Sequence, residues 1–280
     1  MSAYFGGGLV VSAASTAGGG IVNTDNPVIG YKNFVPTSSL TSLTAASGYP
    51  VSNLKEISTA LRWRGVVASP AVDEYVTSEL LNPETMDYVG IAKHNFFTNQ
   101  IAVSIEALQL GSSPQIWEEL TTPIIPLSDG PILFRFTSRT VSQFRIRMQA
   151  GSDYPEIGIV YGGALTVLQR RIYVGHVPIT YGTEQQVANH YSISGNFLGR
   201  VILSERSATR ITQENITPEW YRQTLEPFRI AAQTSPFFFA WRPASYPLEV
   251  GFVWTTNSPK PENQLANGMM SFSFDCEGVT

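Results

Sequence analysis

Ser235–Trp254, SPFFFAWRPASYPLEVGFVW, limits the possible folds more than any other stretch of this chain. Phe237, Phe238, Phe239 and Trp241 are too apolar to face water. Arg242, Pro243, Tyr246, Pro247 and Glu249 are too polar or too rigid for a bilayer core. The run is also far shorter than the roughly 20 apolar residues a spanning helix needs. It therefore predicts a buried strand, a Pro-bounded turn and a second strand, VGFVW, with side chains alternating across a sheet. Phe237, Phe239 and Trp241 should share one face and Phe238 the other.

The chain has 280 residues, of which 43% are apolar, enough for one large or two medium domains with a real core. Only 14% are charged, against the usual quarter. That suits short strands with Ser- and Thr-rich surfaces, and equally a surface covered by neighbours. Net charge is -4, without any basic block. FRIRMQ at 144–149 alternates basic and apolar residues, as one polar strand face does, so nucleic-acid binding is not expected. A single cysteine, Cys276, excludes an internal disulfide and a four-cysteine metal site. His94, His176 and His190 have no ligand spacing. The opening MSAYFGGGLVVSAASTAGGG has no basic n-region and does not read as a signal peptide.

Three segments follow. Residues 1–35 form a Gly/Ser-rich arm, with LVVSAAS as a short strand between glycine runs, either flexible or ordered on a neighbouring subunit. Residues 36–150 form a β-rich unit. In it, 72–81, 87–92 and 100–107 are strand candidates, and ILFRF and VSQFRIRM should form an antiparallel pair around Thr137–Thr140. Residues 151–280 form a second unit, opening with the strand IGIVYGG at Ile157. Arg171–Val174, Tyr191–Ile193 and Val201–Glu205 are further strand candidates. The chain's best helix is TPEWYRQTLEPFR, with Thr217 as cap, Pro218 in the first turn, and Pro227 ending or kinking it.

Chemistry is poorly marked. The glycine runs lack the frame of a phosphate loop, and no GxSxG occurs. Glu118-Glu119 and Asp73-Glu74 are adjacent pairs that a strand would turn to opposite faces. No catalytic residue, cofactor or metal ligand is expected. A hydrolase with a dispersed site is the third reading of the chain.

Two resemblances carry the leading readings. TSLTAASGYPVSNL, Trp63, DYVGIAKHNF and the late segments ILFRF and FRIRM resemble galactose-binding-like, discoidin-type β-sandwiches. That resemblance implies a rim loop holding His94 and Asn95, with Trp63, Tyr75 and Trp117 as further rim candidates, although the two tryptophans read more readily as core residues. SISGNFLGR at 192–200 and PFFFAWRP resemble the ring-forming half of distal and minor tail proteins of long-tailed bacteriophages. The two domains stand in the reverse order to the best-known members. The implied fold is mainly all-β, a galactose-binding-like sandwich followed by a tail-tube-like β domain with one short helix. The implied function is structural, a ring of copies, sixfold favoured, joining the tail tube to tip and hub proteins in the virion. It involves no membrane insertion, and Arg200 and Arg242 are the interface candidates. A lectin-like module contacting host glycans is the alternative.

Overall fold

A computed structural model describes residues 8–13, 23–66, 72–109, 111, 116–172, 176–264 and 268–279. The strands are β1 (Leu9–Ala13), β2 (Val28–Gly30), β3 (Ser39–Ser42), β4 (Trp63–Arg64), β5 (Glu74–His94), β6 (Val103–Leu108), β7 (Trp117–Glu119) and β8 (Ile132–Met148). After these come β9 (Glu156–Gly163), β10 (Thr166–Val167), β11 (Thr183–Tyr191), β12 (Phe197–Ile216), β13 (Phe237–Ala240), β14 (Val250–Thr255), β15 (Lys260–Asn263) and β16 (Met270–Val279). The protein is mainly β, as the sequence predicts.

The first sheet runs β4-β9-β5-β8-β6-β7, with β1 on β8 and β3 on β5. Its two long strands are shared between layers. The first half of β5 pairs with β3 and with the second half of β8, which also carries β6. The second half of β5 pairs with β9 and with the first half of β8. The register shifts between Glu79 and Glu84 and between Met86 and Tyr88, where one layer passes into the other. Buried residues of both halves, among them Val76, Phe144 and Ile146 with Val89, Ile91 and Phe134, form one core.

The hairpin expected around Thr137–Thr140 is absent, because ILFRF and VSQFRIRM are one continuous strand. Thr, Ser and Arg at 137–140 offer no residue suited to the positive φ of a tight turn. Strand β9, expected to open the second unit, lies in the first sheet between β4 and β5. It is buried along nearly its whole length, as a strand covered on both faces must be. The arm in turn supplies β1 to the first sheet and β2 to the second. The rest of the arm lies mostly outside the described residues, as does part of the strand candidate at 171–174.

The second sheet runs β10-β2-β13-β14-β16-β12-β11, with β15 on β16. Phe237 and Phe239 lie on one face beneath the helical segment, with Leu225, Phe228, Phe272 and Phe274. Phe238 points to the other face and is equally buried. There it meets Tyr88, Leu133, Ile159 and Tyr161 of the first sheet, with Val28, Val250 and Phe252 of its own. Tyr161 packs edge-on to Phe238 and Phe252, each at 5.6 Å, and its hydroxyl donates to the Pro236 carbonyl at 3.0 Å.

Helical structure runs from Pro218–Trp220 through a π turn at Tyr221–Leu225 to Glu226–Ala231. Pro227 does not end it. The wider π turn ahead of Pro227 accommodates a ring that would clash in a regular helix. Thr217 makes no side-chain cap. Its backbone N–H and its hydroxyl are instead held by the Gln169 amide at 2.9 and 3.1 Å.

Candidate functional site

Beyond Ser207 the second sheet extends as a two-stranded ribbon. β12 pairs with β16 only from Ser207 onward, so among the described residues β11 and the first half of β12 pair with each other alone. A tight loop closes the ribbon: the Gly195 N–H donates to the Ser192 carbonyl at 2.9 Å, and Gly195 has φ +83°. Tyr191, Ile193, Phe197, Leu198, Val201, Ile202 and Leu203 are all exposed, Ile193 completely. Val201, Ile202 and Leu203 are consecutive, so both faces of the ribbon carry apolar side chains. The charges gather at its base, where Arg206 pairs with Glu184 at 3.1 Å and Glu277 at 2.9 Å.

Arg200 sits in this ribbon, opposite Asn189, and is exposed. Arg242 lies elsewhere. Its Nε and Nη2 donate to one carboxylate oxygen of Asp25 at 2.9 and 2.7 Å, while the Ser245 N–H donates to the other at 2.9 Å. Burial disfavours the Asp25 charge, but these hydrogen bonds outweigh it and hold the carboxyl below its ordinary range. The two interface candidates are therefore not brought together. Arg242 fastens the turn at residues 23–27 to the loop after β13.

The rim loop after β5 is tied down from within. His94 is buried. Its Nδ1 accepts from the Phe96 N–H at 3.2 Å, leaving Nε2–H to donate to the Gly130 carbonyl at 2.7 Å. Burial pulls its pKa down to about 4, against smaller opposing contributions from the Gly130 carbonyl and Asp129. Asn95 donates to the Tyr154 carbonyl at 2.8 Å and accepts from the Glu156 N–H at 2.9 Å. Asp129 accepts from the Phe97 and Thr98 N–H groups at 2.8 and 3.2 Å. Trp63 is a core residue whose indole N–H donates to the Thr44 carbonyl at 3.1 Å. Tyr75 and Trp117 flank the Arg145 guanidinium at 4.3 and 4.1 Å, and Arg145 pairs with Glu106 at 2.5 Å.

Next to the rim loop is a cleft of about 200 Å³, with Val72, Ile101 and Met148 on its apolar part and Glu74, Gln149, Ser152, Asp153 and Tyr154 around it. The Arg64 guanidinium lies 5.3 Å from the centre of the Tyr154 ring. Among the described residues no group of three or more His, Cys, Asp or Glu side chains could hold a metal ion. Cys276 is buried, and that burial pushes its thiol well up.

No known protein family matches the sequence, and no curated protein matches it. Among solved structures it is similar to chitosan-binding module 1 of a chitosanase/glucanase from Paenibacillus sp. IK-5, at 15% identity and a TM-score of 0.40, over 46% of this chain and 97% of that one. It is similar to CpGH89CBM32-5 from Clostridium perfringens, in complex with GalNAc-β-1,3-galactose, at 9% identity and a TM-score of 0.41, over 48% of this chain and 100% of that one. A family 32 module of C. perfringens NanJ, in complex with galactose, matches at 10% identity and a TM-score of 0.40, over 47% of this chain and 97% of that one. At these TM-scores the likeness carries no argument about what this chain binds.

Sequence reasoning singled out SGNFLGR but did not recognise the ribbon around it. A signal was present. TEQQVANHY at 183–191 is polar at both alternating sets of positions, so it cannot line a core.

Proposed function

We propose that this chain is a structural subunit that performs no chemistry and joins copies of itself through the β11–β12 ribbon. One observation carries the reading: a ribbon whose two edges pair with no other described strand and whose two faces both carry apolar side chains. An isolated two-stranded ribbon is marginal in water, and an exposed apolar edge is a template for another chain. The absence of charge from the distal half, Arg200 apart, favours a second copy over an oppositely charged partner. If the ribbon meets a different surface of the next copy, the contact is head-to-tail, and closed cyclic symmetry ends it in a ring. The specific setting proposed is the tail tip of a long-tailed bacteriophage, between tube and hub proteins. Its support is the sequence resemblance of residues 192–254. Light scattering and negative-stain imaging of the purified protein, alone and with a tube protein, test the proposal. Rings are expected, and a monomer under both conditions at high concentration rejects it.

A second reading has its own observation. The cleft at Gln149–Pro155 combines apolar side chains, polar groups and an exposed tyrosine, the mixture a saccharide ring needs. On this reading the first sheet holds a glycan there rather than at His94 and Asn95, whose polar atoms bond within the protein. Glycan-array binding that is lost in Tyr154→Ala supports it; a blank array rejects it.

A further inference from the structure

β1 is the only parallel pairing among the described strands. It adds Leu9–Ala13 to Ile132–Phe136 of β8, on the edge that β6 leaves free, since β6 pairs only with the far half of β8. The strand sits in a slot between the two sheets. The Leu9 N–H donates to the Pro131 carbonyl at 2.8 Å on one side, and the Val10 N–H donates to the Pro247 carbonyl at 2.6 Å on the other. The slot is narrow at its mouth: a Cβ on Gly8 would come within 2.5 Å of both the Pro131 carbonyl and Val250. Val10 fills a place in the core between the sheets. Without β1, a row of strand hydrogen-bonding groups and an apolar hole would both stand open.

The strand is joined to the rest of the chain by residues 14–22, AASTAGGGIV less its first Ala, a stretch dominated by small residues. Nine residues reach up to about 30 Å when extended. The slot is the same in every copy, so β1 makes the same contacts in its own chain or in a neighbour. Which it occupies depends on effective concentration, and a neighbour held within linker reach raises that to millimolar levels. Exchange of an identical element is a low-cost route to a linked oligomer.

We propose that β1 is an exchanged strand: in the assembly, Leu9–Ala13 of each copy fills the slot between Pro131 and Pro247 of the next. This rests on the assembly reading above and names a contact within it. The ribbon would bring copies together, and the exchanged strands would link them.

Ser12 is exposed, so Ser12→Cys leaves the slot intact, and the native Cys276 is buried. An equal mixture of unfolded light and ¹⁵N-labelled Ser12→Cys chains is refolded together, labelled with a benzophenone maleimide and illuminated. Light scattering records the mass, and mass spectrometry reads the isotopes of the linked peptides. Mixed-isotope adducts from position 12 to β8 are the expected result. Same-isotope adducts alone, from an oligomer, overturn the exchange and leave the assembly reading standing. A monomer overturns the assembly reading and the exchange with it.

Discussion

Phe238 and Gly90 meet where the two sheets pack: a Cβ on Gly90 would lie 2.5 Å from the Phe238 ring. Gly90 is in β5 of the first sheet and Phe238 in β13 of the second. The missing side chain is what lets the ring settle on the strand. The second face of FFFA is therefore a junction between sheets, not a solvent face, and the two halves of the chain share a core.

Gly90→Ala is expected to overpack this junction and destabilise by about 1–3 kcal/mol. Phe238→Ala should cost about 3–5 kcal/mol through the cavity left behind. Gly90→Ala in a Phe238→Leu background should cost less than in the parent, because the two sites touch. Urea melts of the parent, the three single variants and the double variant check this. Strict additivity would mean that the ring does not rest on Gly90.

Phe239 lies in β13 and Trp241 just past its end, and they differ in burial. Phe239 is in the core, whereas Trp241 is half-buried, stacked on Tyr246 at 5.5 Å, with its indole N–H donated to Glu249. Phe239→Ala should cost about 3–5 kcal/mol. Trp241→Ala should cost less, because its site opens to solvent and leaves a smaller cavity. Equal losses on thermal melting would place Trp241 in the core after all.

The alternation of Phe237, Phe238 and Phe239 was legible because a strand's period of two is a local property of the backbone. The partners of those faces were not. Nothing near residue 238 indicates that it meets Gly90, and nothing in IGIVYGG says that β9 returns to the first sheet. Those placements are set by pairings across the chain, such as Ile91 with Val160. The false hairpin at Thr137–Thr140 has the same origin. Two apolar runs with a polar interval look alike whether the chain reverses there or crosses between layers. At the rim, the sequence placed His94 and Asn95 at the end of a core strand, but not the backbone groups that engage them.

Stability should fall with acid through His94. Its folded pKa, about 4, lies below the ordinary 6.5, so the folded state binds fewer protons than the unfolded chain between these values. The stabilisation is complete above about pH 6.5 and is lost as pH falls toward 4, by roughly 3 kcal/mol. His94→Gln, which can still donate to the Gly130 carbonyl, should flatten the pH dependence in that window relative to the parent. Parallel slopes for the two proteins between pH 6.5 and 4 would remove His94 as the cause.

The last prediction separates the ribbon from the body that carries it. Phe197 and Ile202 are more than half exposed, and the residues paired with them, Tyr191 and Val187, also lie in the ribbon and contribute nothing to either sheet's core. A charged residue there meets only water in the monomer, and surface changes of this kind usually stay within about 0.5 kcal/mol. Across a copy-to-copy contact the same residue brings an unpaired charge into a desolvated apolar patch, which costs several kcal/mol. Phe197→Asp with Ile202→Lys should therefore turn the assembly into monomers while the melting temperature of the body, extrapolated to low concentration, stays within a few degrees. Sedimentation velocity and scanning calorimetry on the same samples measure both. An assembly that survives the pair of charges would move the contact off the ribbon. A large fall in melting temperature would mean instead that the ribbon folds back on the body and was never free to meet a neighbour.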